Sequence, residues 1–178
     1  MEAHSEMEII ARVQAGHAGD FGELVRRYQS PLFRIVGNLV DHCMVEDLVQ
    51  DIFLTVYANI GDFDTRRGTF RSWIYRIARN HALNARKKKR EKLMDEMPDL
   101  ADPLTPCQAL LTKEVFACMD RALNGLKFRD RVIFVLAELE GLSYAEIAHI
   151  ENLALGTVKS RLSRIKNKLR GAMAPYVS

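Results

Sequence analysis

The sequence predicts an all-α chain of two small helical domains joined by a flexible linker, the second domain built on a helix-turn-helix. Three observations carry that expectation. Apolar residues recur at helical spacing along most of the chain, and no segment alternates convincingly as a half-buried strand would. Pro98, Pro103 and Pro106 fall in one short stretch with Asp99 and Asp102, where missing backbone donors and biased preceding residues argue against a continuous element. Near the C-terminus, Gly141-Leu-Ser-Tyr-Ala-Glu-Ile-Ala148 and Gly156-Thr-Val-Lys-Ser-Arg-Leu162 form two helical patterns around a short break at Glu151 to Leu155. The expected organisation is a domain over 1–92, a linker over 93–107 and a second domain over 108–178.

Taken in order, Met7, Ile10 and Val13 open the first apolar stripe. Asp20 is placed to cap a helix carrying Phe21, Leu24, Val25 and Tyr28, with Leu32, Ile35, Val36, Leu39 and Val40 following after Pro31. Val45, Leu48, Val49, Ile52, Phe53 and Val56 form another stripe, ended by Gly61. Beyond the loop from Gly61 to Gly68, a longer helix is expected from about Thr69 to Arg90, with Ile74, Ile77, Ala78 and Ala82 on its apolar side. In the second domain helices are expected near Gln108 to Leu123, Phe128 to Leu139, Ser143 to Ile150 and Leu155 to Gly171. The run from Val132 to Leu139 could mimic a strand, but its neighbours are helical. Ser143 with Glu146 three residues on makes a capping box, and Ala145, Ile147 and Ala148 are the small apolar contacts that crossed helices need.

The last helix carries the strongest chemical signal. Val158, Leu162, Ile165 and Leu169 give it one apolar face. Everything else is polar or cationic: Thr157, Lys159, Ser160, Arg161, Ser163, Arg164, Lys166, Lys168 and Arg170, with no acid between Gly156 and Arg170. A merely solvated face usually mixes signs to gain i,i+4 pairs, whereas unopposed cations suit phosphates and base edges.

The formal net charge of +3 hides an uneven distribution. Asp41, Glu46, Asp47, Asp51, Asp62 and Asp64 occupy a stretch without Lys or Arg, and from Arg66 to Lys92 the cations dominate, with Glu91 the one acid. This implies separate surfaces, acidic for protein and basic for nucleic acid. Within the basic stretch Arg76, Asn80 and Asn84 stand at i, i+4 and i+8, leading into Arg86-Lys-Lys-Lys-Arg90. Phe63, Phe70, Trp73 and Tyr75 crowd a segment that also holds Arg66, Arg67 and Gly68. Aromatic rings beside cations stack and hold unpaired bases, although spacing alone favours core packing for Phe70, Trp73 and Tyr75. The plain reading of the Lys87 to Arg90 run is a solvated helix end.

Other classes find little support. Cys43, Cys107 and Cys118 are odd in number and form no CxxC pair, so neither a disulfide framework nor a zinc site is expected. His42 beside Cys43 points away from it on a helix, and the thiol is expected to be partly buried. Without a phosphate loop, nucleophile elbow or metal-spaced cluster, neither an enzyme nor a cofactor is expected. The first ten residues hold Glu2, Glu6 and Glu8 and no apolar run, and no segment approaches a membrane span. A cytoplasmic protein with no direct membrane insertion is the expectation.

In these motifs the chain resembles the extracytoplasmic-function sigma factors, bacterial subunits that direct RNA polymerase core enzyme to promoters. Glu46-Asp-Leu-Val-Gln-Asp-Ile-Phe53 is similar to the family's polymerase-binding helix, Phe70-Arg-Ser-Trp-Ile-Tyr-Arg-Ile-Ala-Arg-Asn80 to its helix that reads and melts the -10 element, and the C-terminal pair to its -35 reader. The resemblance implies that Asp47, Gln50 and Asp51 face the clamp helices of the largest polymerase subunit. Phe63, Phe70, Trp73 and Asn80 would capture a flipped base of the -10 element, and Arg76, Arg79 and Asn84 would hold nearby bases and backbone. Lys159, Ser160, Ser163 and Arg164 would enter the major groove at the -35 element, with Thr157 contacting phosphate and Arg164 recognising guanine. Partners implied are core polymerase, promoter DNA as duplex and melted single strand, and an anti-sigma factor.

The chain departs from the family pattern at the turn, which usually reads Leu-Gly-Ile-Ser and here reads Glu151-Asn-Leu-Ala154. Asn152 tolerates the left-handed conformation nearly as well as glycine. Ala154 lacks the usual serine cap, at a cost of ~1 kcal/mol. Glu151 stands where an apolar residue is typical, opening a gap or facing a partner. The rival reading is a stand-alone helix-turn-helix regulator, which predicts a ligand or dimerisation domain in place of the acidic helix and the aromatic, basic helix after it.

Overall fold

Residues 5–95 and 118–176 are described by the computed structural model, and every regular element among them is helical. The chain divides into two compact units, residues 1–85 and 86–178. Most of the expected linker, 96–107, and the first part of the helix expected from Gln108 lie outside the described residues.

In the N-terminal unit Ser5 caps helix α1 (Glu6–Gln14) with a full capping box, its Oγ accepting from Glu8 N–H at 3.3 Å while Glu8 Oε2 accepts from Ser5 N–H at 2.8 Å. Ile9, Ile10 and Val13 are its buried stripe. Met7, expected to share it, is exposed because the helical turn rotates it one position off that face.

A 3-10 turn, Ala18–Asp20, precedes α2 (Phe21–Gly37). Asp20 sits at the N-cap of α2 but makes no capping bond; its carboxylate accepts instead from Arg12 Nε at 2.6 Å. Helix α2 runs through Pro31, which supplies no N–H to the carbonyl one turn earlier. Buried Tyr28, Leu32, Ile35 and Val36 on either side of the proline hold the helix together through packing.

Helix α3 (Val45–Asn59) buries Val45, Leu48, Val49, Ile52 and Val56. The Cys43 thiol before it is exposed rather than partly buried, since His42–Met44 form a 3-10 turn outside the α3 stripe. Two further 3-10 turns, Ile60–Asp62 and Thr65–Arg67, lead to Gly68, whose φ of 139° lies in the region that favours glycine. Helix α4 (Phe70–Asp95) then begins, with the Thr69 hydroxyl accepting from Ser72 N–H at 3.1 Å. It continues beyond the expected end at Arg90, through Glu91, Lys92, Leu93 and Met94, all strong helix formers.

In the C-terminal unit residues 118–124 form α5. Helix α6 (Phe128–Phe134) widens into a π turn over Val135–Leu139, where Glu140 N–H reaches back five residues to the Val135 carbonyl. The strand-like run at Val132 is therefore helical, with Val132, Ile133, Val135 and Leu136 buried. Helix α7 (Tyr144–Glu151) carries the expected capping box, Ser143 with Glu146. Asn152 takes the left-handed conformation at φ 51°, and α8 (Leu155–Met173) starts after Ala154 without a side-chain cap. Buried Ile147 and Ile150 of α7 and Val158, Leu162, Ile165 and Leu169 of α8 supply the apolar faces of the helix-turn-helix. Among the described residues no helix is long and apolar enough to cross a membrane.

Candidate nucleic-acid and polymerase interfaces

Helix α8 turns Lys159, Ser160, Ser163 and Arg164 to solvent, while Thr157, in its first turn, is half-buried. The nine polar positions of the face are not equivalent. Arg161 Nη1 donates to Asp130 Oδ1 at 2.7 Å, and Lys166 Nζ to Glu138 Oε1 at 2.8 Å, so two of the expected DNA-facing cations pair with α6 and the turn after it. The bond to Glu138 holds the Lys166 pKa above its ordinary value. Lys168 Nζ donates to the Gly125 carbonyl at 2.9 Å. Sequence spacing missed these pairs because it sets the register within a helix, not between two. Arg170 Nη1 donates to Asn167 Oδ1 at 3.1 Å, so among the described residues Lys159 and Arg164 are the two of the six cations on this face with neither an ion pair nor a hydrogen bond, and they stay available to phosphate and base.

Glu151, which the sequence leaves between a gap and a partner contact, does neither. Its side chain is 0% exposed and its Oε2 accepts from Arg129 Nε on α6 at 3.1 Å. Glu151 closes α7, Arg129 opens α6, and the pair ties the first helix of the motif to its support.

In the N-terminal unit the loop after α3 and the start of α4 bring Phe63, Phe70 and Trp73 into one cluster. Phe63 and Phe70 meet edge-on at 5.2 Å between centroids, and Trp73 lies 5.5 Å from each. Tyr28 backs Phe70 at 5.4 Å. Its hydroxyl donates to Glu6 Oε2 at 2.6 Å, and burial, reinforced by that carboxylate, drives its pKa far above the ordinary tyrosine value. Phe63, Phe70 and Tyr75 are buried; Trp73 is the ring of this cluster that keeps a partly open face.

Beside the cluster, Arg66 is 88% exposed and paired with Asp64, whose carboxyl the guanidinium holds below the usual range. Along α4, Arg76, Asn80 and Asn84 are all exposed, and half-buried Arg79 donates to Asn80 Oδ1 at 3.1 Å, orienting that amide. Cation and amide donors thus line a helix face that starts at an aromatic platform, the combination needed to hold backbone and read base edges.

Asp47, Gln50 and Asp51 are exposed on α3, opposite its buried stripe. Next to them lies a groove of about 500 Å³ between α2 and α3, lined by Phe21, Val25, Phe33, Val49, Phe53 and Leu54, with Glu46 and Gln50 among its polar lining residues. Leu54 is 60% exposed. Sequence reasoning did not single out this groove, although its signal was present: Leu54 and Tyr57 are large apolar residues outside the α3 stripe.

Comparison with known proteins covers both units. The family model for Sigma-70 region 2 matches residues 24–92, and that for Sigma-70, region 4 matches residues 116–169. The chain is 30% identical to the ECF RNA polymerase sigma-E factor of Haemophilus influenzae over 99% of each chain. It is 31% identical to the ECF RNA polymerase sigma factor SigW of Bacillus subtilis, over 93% of this chain and 96% of the relative. Among solved structures, it is similar to the sigma factor RpoE in complex with the anti-sigma factor NepR from Bartonella quintana, with a TM-score of 0.75 and 26% identity over 87% of this chain and 97% of that one. It is also similar to CnrH in complex with the cytosolic domain of CnrY, with a TM-score of 0.70 and 26% identity over 96% and 97% of the two chains. Matches that run through the acidic helix and the aromatic helix as well as the helix-turn-helix weigh against a stand-alone regulator.

Proposed function

The chain belongs to the extracytoplasmic-function RNA polymerase sigma factors, and from that premise we propose how its surfaces divide the work of initiation. It directs core polymerase to specific promoters and starts transcription there. The observation that carries the division is the order of three unlike faces along the chain: an acidic face without cations on α3, an aromatic and amide-bearing basic face on α4, and Lys159 with Arg164 on α8.

Asp47, Gln50 and Asp51 engage the basic clamp helices of the largest polymerase subunit, where opposite charge steers encounter and fixes register. Trp73 stacks the flipped base of the -10 element while Phe63 and Phe70 form the wall behind it; Asn80, Arg76, Arg79 and Asn84 hold neighbouring bases and backbone. Lys159, Ser160, Ser163 and Arg164 enter the major groove of the -35 duplex, and Thr157 lies against phosphate. Melting needs no covalent chemistry: binding energy gained on unpaired bases offsets the cost of opening the duplex. An anti-sigma factor, as accompanies the similar Bartonella quintana protein, holds this chain away from polymerase and DNA.

Arg164 tests the recognition helix. Arg164→Ala is expected to cost ~1 to 3 kcal/mol on the preferred -35 sequence and to relax selectivity at one position. Titrating holoenzyme against duplexes varied at each -35 position reads this out. A uniform loss across all of them would limit Arg164 to a phosphate contact.

A further inference from the structure

Gln14, the last residue of α1, meets two backbone atoms far away in sequence. Its Nε2 donates to the carbonyl of Ile60 at 2.8 Å and to that of Phe63 at 3.0 Å. Both partners are acceptors, so the nitrogen end of the amide must face them. One side chain thus uses both of its N–H bonds on the turn that carries the chain out of α3. Within the turn Phe63 N–H donates to the Ile60 carbonyl at 3.2 Å, and isolated 3-10 turns hold their shape weakly.

The ring carried by that turn, Phe63, is the wall 5.5 Å from Trp73. Helix α1 is itself anchored, through buried Ile9, Ile10 and Val13, and Glu6 accepts from the Tyr28 hydroxyl behind Phe70. The helix therefore grips the aromatic cluster at two points, the backbone under Phe63 and the ring behind Phe70.

We infer that Gln14 is a positioning residue for capture of the unpaired -10 base, acting by fixing the Phe63 turn against which Trp73 is set. The inference rests on the reading of Trp73 as the stacking ring. A platform held in its binding geometry before the base arrives loses less freedom on capture, and that difference appears as affinity.

Gln14→Glu keeps the shape of the side chain and replaces its donor by an oxygen facing two carbonyls. The probe is the single strand most enriched by wild-type holoenzyme from a randomised pool, labelled and titrated with holoenzyme carrying Gln14→Glu or Trp73→Ala; affinity for core polymerase is measured in parallel. Gln14→Glu is expected to weaken the probe about tenfold and to leave core affinity within about twofold, as loss of two hydrogen bonds at one loop requires. If Trp73→Ala loses the probe and Gln14→Glu holds it within about twofold of wild type, the positioning role is wrong while the stacking role stands. Equal loss of probe and core affinity in Gln14→Glu overturns it too, by making Gln14 a general support of the fold. Retention of the probe by Trp73→Ala removes the stacking ring and this inference with it.

Discussion

Replacing Trp73 by alanine is expected to reduce open promoter complexes by about ten- to a hundredfold, the equivalent of ~1 to 3 kcal/mol for one base stacked on an aromatic ring. The size follows from the setting of the ring. Phe63 and Phe70 press it from behind at 5.5 Å and are themselves buried, so neither of these two rings is free to substitute. The loss falls on melting alone. Duplex binding at the -35 element, carried by α8, is expected to be unchanged, and permanganate reactivity of the -10 thymines separates the two steps. Trp73→Phe should retain part of the effect, since a smaller ring still offers a π-face. Open complexes at wild-type yield in Trp73→Ala would assign base capture to another part of the chain.

Arg129→Leu is expected to destabilise the C-terminal unit by about 2 to 3 kcal/mol. The Glu151 side chain is 0% exposed, so losing Arg129 withdraws a charge-assisted hydrogen bond at a site that water does not reach. The figure is below the full penalty for a stranded charge because Glu151 keeps a further interaction and because Arg129 is itself 45% exposed. The chain carries its own control. Its single tryptophan, Trp73, lies in the N-terminal unit, so in urea the fluorescence transition should stay in place while the loss of helical circular dichroism moves to lower denaturant. An unshifted circular dichroism transition would show that the pair contributes nothing to the fold.

The contrast between these two predictions shows what the sequence could and could not reveal. Periodicity within one helix is local, and it found the buried stripes of α3 and α8, the Ser143 capping box and the left-handed Asn152. Partnerships between helices are not local. Nothing in the spacing of Arg161, Lys166 and Glu151 says that Asp130, Glu138 and Arg129 will meet them, so a face read as uniformly cationic is partly neutralised from behind. The same limit applies at the aromatic platform. Spacing set base capture against core packing for a group of rings, and in three dimensions they divide, with Phe70 and Tyr75 in the core and Trp73 at its edge. Asp20 fails as a cap for a related reason: a guanidinium on the preceding helix competes for its carboxylate.

Sigma activity itself is tested most directly by in vitro transcription from a pooled promoter library, with bacterial core polymerase in the presence and absence of this chain and sequencing of the transcripts. The three faces acting together predict new starts that depend on the protein and share two motifs at fixed spacing. No new starts, combined with sequence-specific duplex binding by the protein alone, would contradict that account and leave a helix-turn-helix regulator in its place.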